Sequence, residues 1–367
     1  MKIAIFIPNL RGGGAERVFV NLAHSFLNKG YEVDFVLIKK QGELLEVLPK
    51  SVNIIDLGAS RIFKSFLPLR RYLKNESPDA LIAVMWPLTI LATLAAMSIK
   101  FKGKVVLSDH NTLSLSTKGW SNFRRKSLRT SIRLVYPLAD TSLVVSDGVA
   151  DDISNFTNLD RSNFKVIHNP IFIQSPDPDD IQVEQIKKLF KYRIVNLGAL
   201  SEQKNQALLI KAFSLIVDKI DVELVILGNG PLKSELEALI SKLKLNDKVF
   251  MAGFVTDPSQ WYKQSDLFVL SSIYEGLPMV LLEALTFGLP IVSADCKSGP
   301  REILCDGKYG KLVPVGDVDA LAQAMLQSLQ EEHDVEALKR RAADFSVDKI
   351  AEQYLDVMFP ERLRKNA

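Results

Sequence analysis

The stretch Asp266-Leu267-Phe268-Val269-Leu270-Ser271-Ser272-Ile273-Tyr274-Glu275-Gly276-Leu277-Pro278-Met279-Val280-Leu281-Leu282-Glu283-Ala284 decides how the chain is built. Its opening apolar run, closed by two serines, reads as a buried strand over 266–270. Gly276 then frees the backbone, and Pro278 suits a first helical position, where its missing N–H costs nothing. A helix should therefore begin near Leu277, with Glu275 in the loop before it and Glu283 inside it. Backbone N–H groups from about Met279 onward have no helical acceptor, and such a helix start attracts anions, phosphate above all. Two carboxylates flanking it suit a ligand with hydroxyls on both sides of a diphosphate, such as a nucleotide sugar. A surface loop and an amphipathic helix with two solvated acids would give the same spacing, so the rest of the chain has to choose.

Working outward, the same strand-then-helix unit repeats along the whole sequence. Predicted strands in the first half fall at 2–7, 32–38, 52–56, 80–85, 104–108, 142–145 and 164–167, with helices at 15–28, near 63–74, and at 88–99, 122–136 and 148–156. Ser175-Pro176-Asp177-Pro178-Asp179-Asp180 interrupts the alternation as a linker would. The second half restarts it, with strands at 192–197, 223–227, 249–251, 266–270, 290–293 and 311–313 and helices at 206–217, 232–243, 278–287 and 318–329. Alternation of this kind gives parallel sheets covered by helices on both faces. The fold expected is α/β, two tandem Rossmann-like doubly wound domains: 1–172, a linker at 173–190, 191–345, and a C-terminal helical segment at 346–367. Ligands of such sheets bind beyond the carboxyl ends of the strands, which places the expected site in a cleft facing both domains.

At 367 residues the chain exceeds what one core usually supports. Its 47% hydrophobic and 24% charged content is that of a folded globular protein, and a net charge of +3 gives no bulk attraction to nucleic acid. Cys296 and Cys305 stand without a CxxC or a histidine cluster, which fits reduced thiols rather than a disulfide scaffold or a metal site. The apolar run of Met1 to Ile7 is too short for a signal peptide and reads as a first strand. The twenty uncharged residues from Ala80 to Ile99 are long enough to span a bilayer, but Pro87 splits them into a strand-like and a helix-like half, as a buried βα unit would.

Gly12-Gly13-Gly14-Ala15-Glu16-Arg17 follows the first strand and opens a helix, the context of a dinucleotide fingerprint. Arg17 stands where the third glycine belongs, and Lys39-Lys40 where a ribose-binding acid would sit, which argues against a hydride-transfer enzyme. What remains is backbone at Gly13 and Gly14 able to approach a phosphate or sugar, or simply a tight turn. Gly228-Asn229-Gly230 and Gly253-Phe254-Val255 close two later strands, where a base and ribose could rest on backbone. Lys204 follows Gly198 beyond another strand end and can neutralise a diphosphate leaving group. His110 follows the strand 104–108, a fair place for a ligand contact or for an ordinary loop histidine. The helix 122–136 carries Arg125, Arg129 and Arg133 at i, i+4, i+8 beside an apolar stripe, which suits an anionic bilayer or a pyrophosphate-linked lipid, or a solvated face over a buried seam. Aromatic residues do not interleave with these cations as nucleic-acid stacking would require.

In order along the chain, Gly12 to Arg17, Gly198 to Lys204, Gly228-Asn229-Gly230 and Glu275 with seven residues before Glu283 resemble the retaining GT-B glycosyltransferases of family 4. The resemblance covers nearly the whole chain and is most specific in the E-x7-E stretch, Tyr274 to Ala284. It implies that Glu283 binds the donor's ribose, that Glu275 and His110 approach the donor sugar, and that Lys204 meets the diphosphate. Amides of Gly276, Leu277, Pro278's neighbour Met279, and Val280 would hold the phosphates, and Gly198 and Gly228 to Gly230 would line the nucleotide. It also implies that the C-terminal helix crosses back onto the first domain. One departure is Ala199, where the family usually has an arginine; Arg193 or Arg301 would have to compensate. The expected activity is transfer of a hexose or N-acetylhexosamine, with retention, from a nucleotide-diphosphate donor, UDP being the commoner, to a lipid-linked oligosaccharide in bacterial cell-surface glycan synthesis. The expected partners are the nucleotide sugar, the lipid-linked glycan and an anionic membrane, with no nucleic acid; the expected place is the cytoplasmic face of the inner membrane. No cofactor or metal is expected, since no DxD-like motif stands at a strand end. A nucleotide-sugar epimerase of the same scaffold and a non-catalytic nucleotide-sugar sensor are the alternatives.

Overall fold

The computed structural model describes residues 1–11, 13–171, 188–255 and 257–362. It divides into two compact units, Met1–Phe172 with Phe345–Ala367, and Ile173–Asp344. Most of the stretch assigned to the 173–190 linker lies outside the described residues.

The first unit is built on a seven-stranded parallel sheet: β1 (Lys2–Ile7), β2 (Glu32–Leu37), β3 (Asn53–Asp56), β4 (Ala80–Val84), β5 (Lys104–Asp109), β6 (Thr141–Val144) and β7 (Phe164–Val166). Their spatial order is β3-β2-β1-β4-β5-β6-β7. Both faces are covered, so β1 and β4 are buried on consecutive residues rather than alternate ones. The uncharged run from Ala80 resolves into β4 and the helix Leu88–Ser98. No helix among the described residues is long and apolar enough to cross a membrane. The helix Val347–Met358 belongs to this unit. It packs on the helix Gly14–Asn28, where Asp348 accepts from Ser25 Oγ at 2.7 Å and Glu352 pairs with Lys29 at 2.6 Å.

The second unit repeats the plan with β8 (Tyr192–Leu197), β9 (Val222–Leu227), β10 (Val249–Gly253), β11 (Leu267–Leu270), β12 (Ile291–Ala294) and β13 (Lys311–Val313), in the order β10-β9-β8-β11-β12-β13. Ile194, Phe213, Leu224, Leu267 and Met325 are among the buried residues of its core. In each sheet the first strand lies between the second and the fourth, so the connections leaving the first and the fourth strands run to opposite sides. The loops leaving β8 and β11 therefore diverge, which is the topological switch point where such sheets open a crevice. Helix starts follow the expected chemistry: Ser146, Asp317 and Asp334 each accept the amide three residues on, from Val149, Ala320 and Ala337.

Four helices escape the sequence pattern: Leu113–Ser116, Ser259–Lys263, Pro300–Ile303 and Val335–Ala343. The first three span about a turn, too short for a 3.6-residue period to register. The fourth is charged on most of its surface and is signalled only by its Asp334 cap.

Arg193 sits at the start of β8, at the opposite end of the sheet from the crevice, so it does not compensate for Ala199. Its guanidinium is buried against Glu223, Nε to Oε1 at 2.5 Å, and Glu223 Oε2 also accepts from Leu189 N. A buried charge left without its partner costs about 3–5 kcal/mol. Arg193→Leu should therefore destabilise the folded second unit by that order, and adding Glu223→Leu should restore most of the loss, as read by denaturant unfolding.

Candidate active site

The connection from β8 makes a turn in which Lys204 N bonds to Ser201 O at 3.1 Å. The lysine stem folds back over Gly198, where a Cβ would lie 3.4 Å from its methylenes. Across the switch point, the loop after β11 presents Glu275. The two side chains meet, Lys204 Nζ to Glu275 Oε1 at 2.6 Å, with the lysine 19% and the glutamate 7% exposed. Three bonds strap the loops together: Ser271 Oγ donates to Lys204 O at 2.8 Å, Ile273 N to Gln203 O at 2.8 Å, and Gln203 Nε2 to Tyr274 O at 3.0 Å. From the connection after β12, Ser298 Oγ donates to Glu275 O at 2.6 Å. Gly299, at φ 90°, lies so close that a Cβ would come within 2.5 Å of Pro278 Cδ.

The helix begins at Met279, with Pro278 at the cap rather than at the first helical position, because its ψ of 103° is extended. Leu281 N turns back to Pro278 O at 3.1 Å, which leaves the amides of Met279 and Val280 without an acceptor among the described residues. Glu283, one turn further, accepts from Tyr262 OH at 3.0 Å. Burial and the Glu283 charge hold the Tyr262 phenol well above its ordinary range, so it stays a donor. Tyr262 is itself stacked on Phe287, ring centroids 5.4 Å apart. Cys296 lies beneath this site, and burial, with the Glu275 charge, pushes its thiol up to about 12. It is inert as a nucleophile.

The Gly228-Asn229-Gly230 loop after β9 and the end of β10 are joined by Gly228 N to Gly253 O at 2.7 Å. Gly228, at φ 136°, has Gly198 O only 2.0 Å from where its Cβ would be, and Gly230 faces Leu200 O in the same way. Their missing side chains are thus explained by the packing of one loop on the next. Ala199 is exposed, and Arg301 is engaged by Asp295 and by Asp306 at 3.2 Å.

In the first unit, Gly13 and Gly14 open the helix Gly14–Asn28, which has no side-chain cap; the space at Gly13 is taken by the Glu16 carboxylate, whereas Gly14 faces open space. Beyond β5, His110 is buried with Nε2 3.1 Å from Ser108 Oγ, edge-on to Phe19 at 5.7 Å. Burial pushes its pKa down to about 4, with the Asn169 amide pulling the other way. The ring is neutral at pH 7. Its neighbour Asp109 is also buried, which pushes its carboxyl up to about 6 although Tyr136 OH donates to it at 2.7 Å.

The basic helix spans Asn122–Val135 and does not present one uniform stripe. Arg125 is half-buried, donating to Ser114 O at 3.2 Å and lying 5.4 Å over Phe156. Arg129 and Arg133 are exposed, and a cavity of about 380 Å³ is lined by Asn122, Arg125, Lys126, Arg129 and Phe156.

Known proteins match this arrangement from one end to the other. The family described as Glycosyltransferase Family 4 matches residues 12–174, and that described as Glycosyl transferases group 1 matches residues 178–345. An N-acetylgalactosamine-N,N'-diacetylbacillosaminyl-diphospho-undecaprenol 4-alpha-N-acetylgalactosaminyltransferase of Campylobacter jejuni is 30% identical over 350 residues, 93% of each chain. The chain belongs to glycosyltransferase family 4. The lipopolysaccharide 1,6-galactosyltransferase of Salmonella typhimurium is 26% identical across 87% of each chain. Among solved structures, Anabaena Alr3699/HepE in complex with UDP and glucose shares the fold with a TM-score of 0.79 at 21% identity, over 99% of each chain.

In this family 4 glycosyltransferase, the structure joins Lys204 to Glu275 and sets both beside the helix start that leads to Glu283. Sequence reasoning missed Tyr262, Ser298 and Gln203, which hold the carboxylates and loops in place; only the run of hydrogen-bonding residue types near the motif hinted at them.

Asp109 and His110 oppose each other in pH. Asp109 keeps a proton in the folded state up to about 6, against an ordinary 3.8, so its contribution to stability is present at low pH and is lost as pH rises through that window. His110 refuses a proton down to about 4, against 6.5, so its contribution is lost as pH falls. Asp109→Asn removes the first and leaves the second unopposed. Between pH 4 and 6.5 its stability should climb with pH more steeply than the parent's, by roughly 3 kcal/mol; thermal unfolding across that range is the measurement.

Proposed function

We propose that this glycosyltransferase moves one hexose or N-acetylhexosamine, with retention, from a UDP-linked donor to a hydroxyl of a lipid-linked oligosaccharide in the synthesis of bacterial surface glycan. The observation that carries the reading is the Lys204–Glu275 pair set against the free amides of Met279 and Val280. An ammonium on one loop and a helix start on the loop it is strapped to would supply positive charge where a departing diphosphate develops negative charge. Beside them Glu275 offers carboxylate oxygens to sugar hydroxyls, and Glu283, oriented by Tyr262, offers its own to a ribose. Those groups take the place of a metal's charge, so the reaction proposed is metal-independent.

No group in this site is an activated nucleophile with its own base. Glu275 is tied to Lys204, and His110, proposed to touch the donor sugar, is a neutral hydrogen-bonding group. The mechanism proposed is therefore front-face attack, in which the acceptor hydroxyl bonds to the anomeric carbon as the sugar–phosphate bond breaks. The hydroxyl proton passes to the departing phosphate oxygen, and the protein contributes positioning and charge stabilisation.

The acceptor reading is supported by the related Campylobacter transferase, whose substrate name contains a diphospho-undecaprenol. It is supported too by the cationic cavity of Arg125, Lys126 and Arg129, suited to a pyrophosphate, and by Phe123, 84% exposed, with Leu134 and Leu138 also exposed beside Arg124 and Arg133. Apolar side chains projecting among cations suit the surface of an anionic bilayer. Peripheral association with the cytoplasmic face of the inner membrane follows from that reading.

Donor consumption with and without membrane lipid extract tests the class of reaction. Acceptor-dependent loss of donor is expected, unaffected by EDTA; isomer formation without acceptor would mean an epimerase, and binding without turnover a sensor. Glu275→Gln should lower kcat by roughly 10²–10³, while Glu283→Ala should raise the donor KM by about tenfold or more with a smaller change in kcat. Equal effects of the two on kcat would overturn the division of roles. Arg129→Glu together with Phe123→Ser should abolish flotation with anionic vesicles and leave neutral vesicles indifferent; undiminished flotation would remove this helix from the membrane face.

A further inference from the structure

We infer that Tyr354, far along the chain on the helix Val347–Met358, is a positioning residue for His110, and that it acts through Ser108 to leave the imidazole hydrogen on Nδ1. The inference rests on the proposed contact of His110 with the donor sugar. Ser108 Oγ stands between the two rings, 3.1 Å from His110 Nε2 and 3.4 Å from Tyr354 OH. Phe19, from the helix that the glycine turn opens, meets both rings edge-on, at 5.7 Å from His110 and 6.1 Å from Tyr354. All of these groups are buried, so each hydrogen left without an acceptor inside the cluster carries a cost.

Counting hydrogens chooses the direction of the chain. If Nε2–H donated to Ser108, the serine would donate to Tyr354, and the phenol hydrogen would have no acceptor among the described residues. His110 Nδ1 and Asn169 Oδ1 would then be two buried acceptors that each lack a donor. If instead Tyr354 donates to Ser108 and Ser108 to Nε2, both hydroxyl hydrogens are used, and the ring hydrogen sits on Nδ1. Nδ1 and Asn169 Oδ1 are not joined by a bond of ordinary geometry in this structure, but the amide does favour the protonated ring. The first direction leaves the phenol hydrogen and both acceptors unmet, whereas the second leaves only the Nδ1 hydrogen short of a bond of ordinary geometry. Burial pushes the Tyr354 phenol up to about 12, so it keeps the hydrogen this arrangement needs.

The consequence is chemical. Nε2 is occupied by Ser108 and the ring hydrogen stands on the buried Nδ1, so neither ring nitrogen is open to take a proton from the acceptor hydroxyl. A neutral ring held in this way meets a sugar as a fixed surface rather than as a base, which leaves the acceptor hydroxyl's proton to the departing phosphate.

Nitrogen-15 NMR of His110 in the full chain reads the tautomer directly, with His110→Gln used to assign its signals. The expected spectrum shows a protonated Nδ1 and a bare Nε2. Tyr354→Phe keeps the ring contact with Phe19 and removes only the hydroxyl; it should mix the tautomers and lower kcat by about tenfold, with the donor KM within twofold. Ser108→Ala should do the same. A parent protonated on Nε2, or an unchanged tautomer and kcat in both variants with unfolding transitions intact, overturns the inference. A different failure belongs to the underlying reading: if His110→Gln turns over at the parent rate, His110 does not serve the sugar, even where the tautomer depends on Tyr354 as inferred.

Discussion

An ammonium and a carboxylate 2.6 Å apart, both largely out of water, are the constraint around which the second unit's loops are arranged. Taking either charge from solvent alone costs several kcal/mol, and the two offset each other only if their geometry is held. That is the work of Ser271, Gln203 and Ser298, which fix the backbone on each side of the pair. The strand order makes the meeting possible, because β8 and β11 are neighbours in space though seventy residues separate them in sequence. A pair with one cation and one anion is nearly neutral as a whole. On the proposed reading, the positive field offered to a phosphate comes as much from the two amides of the helix start as from the lysine. Neither Arg193, buried at the far end of the sheet, nor Arg301, bound to two aspartates, stands in for an arginine at Ala199.

The first unit solves a related problem with neutral groups. Asp109 and His110 stand next to each other at the end of β5, and each is served by its own tyrosine, Tyr136 and, through Ser108, Tyr354. Burial moves the carboxyl and the imidazole toward their uncharged forms from opposite directions. The strand end is consequently rich in hydrogen-bonding capacity and poor in charge. Such an environment differs from the ion-paired site of the second unit, and it suits contact with hydroxyls better than contact with phosphate.

Much of the fold was legible because buried parallel strands leave continuous apolar runs, and the glutamate pair was legible because loop and helix start lie within one stretch of sequence. Lys204 could be singled out only by its company, since a lysine beyond a strand end is ordinary. What stayed hidden was whatever depends on distant parts of the chain. Tyr262 and Tyr354 look like core aromatics in the sequence, and nothing local shows that one reaches Glu283 and the other reaches Ser108. Gly228 and Gly230 show another hidden dependence: the backbone of Gly198 and Leu200 fills the space their side chains would take, which the local sequence does not reveal. Arg193 and Arg301 were open alternatives in the sequence, which does not show that Glu223 engages the first and that Asp295 and Asp306 engage the second.

The return of the chain to its first unit at Phe345 has a consequence for how the protein is made. Domains generally fold as units in the order of synthesis. Here the second unit is an insertion whose residues are all in place by Asp344, while the sheet that precedes it still lacks the helix Val347–Met358. The later unit is therefore complete before the earlier one. Phe19, Ser108 and His110 wait through the synthesis of some 240 further residues for the tyrosine that closes over them. Until it arrives, the nascent chain carries a finished second unit and an exposed, unfinished edge on the first, which is the interval in which a ribosome-bound intermediate would most need protection.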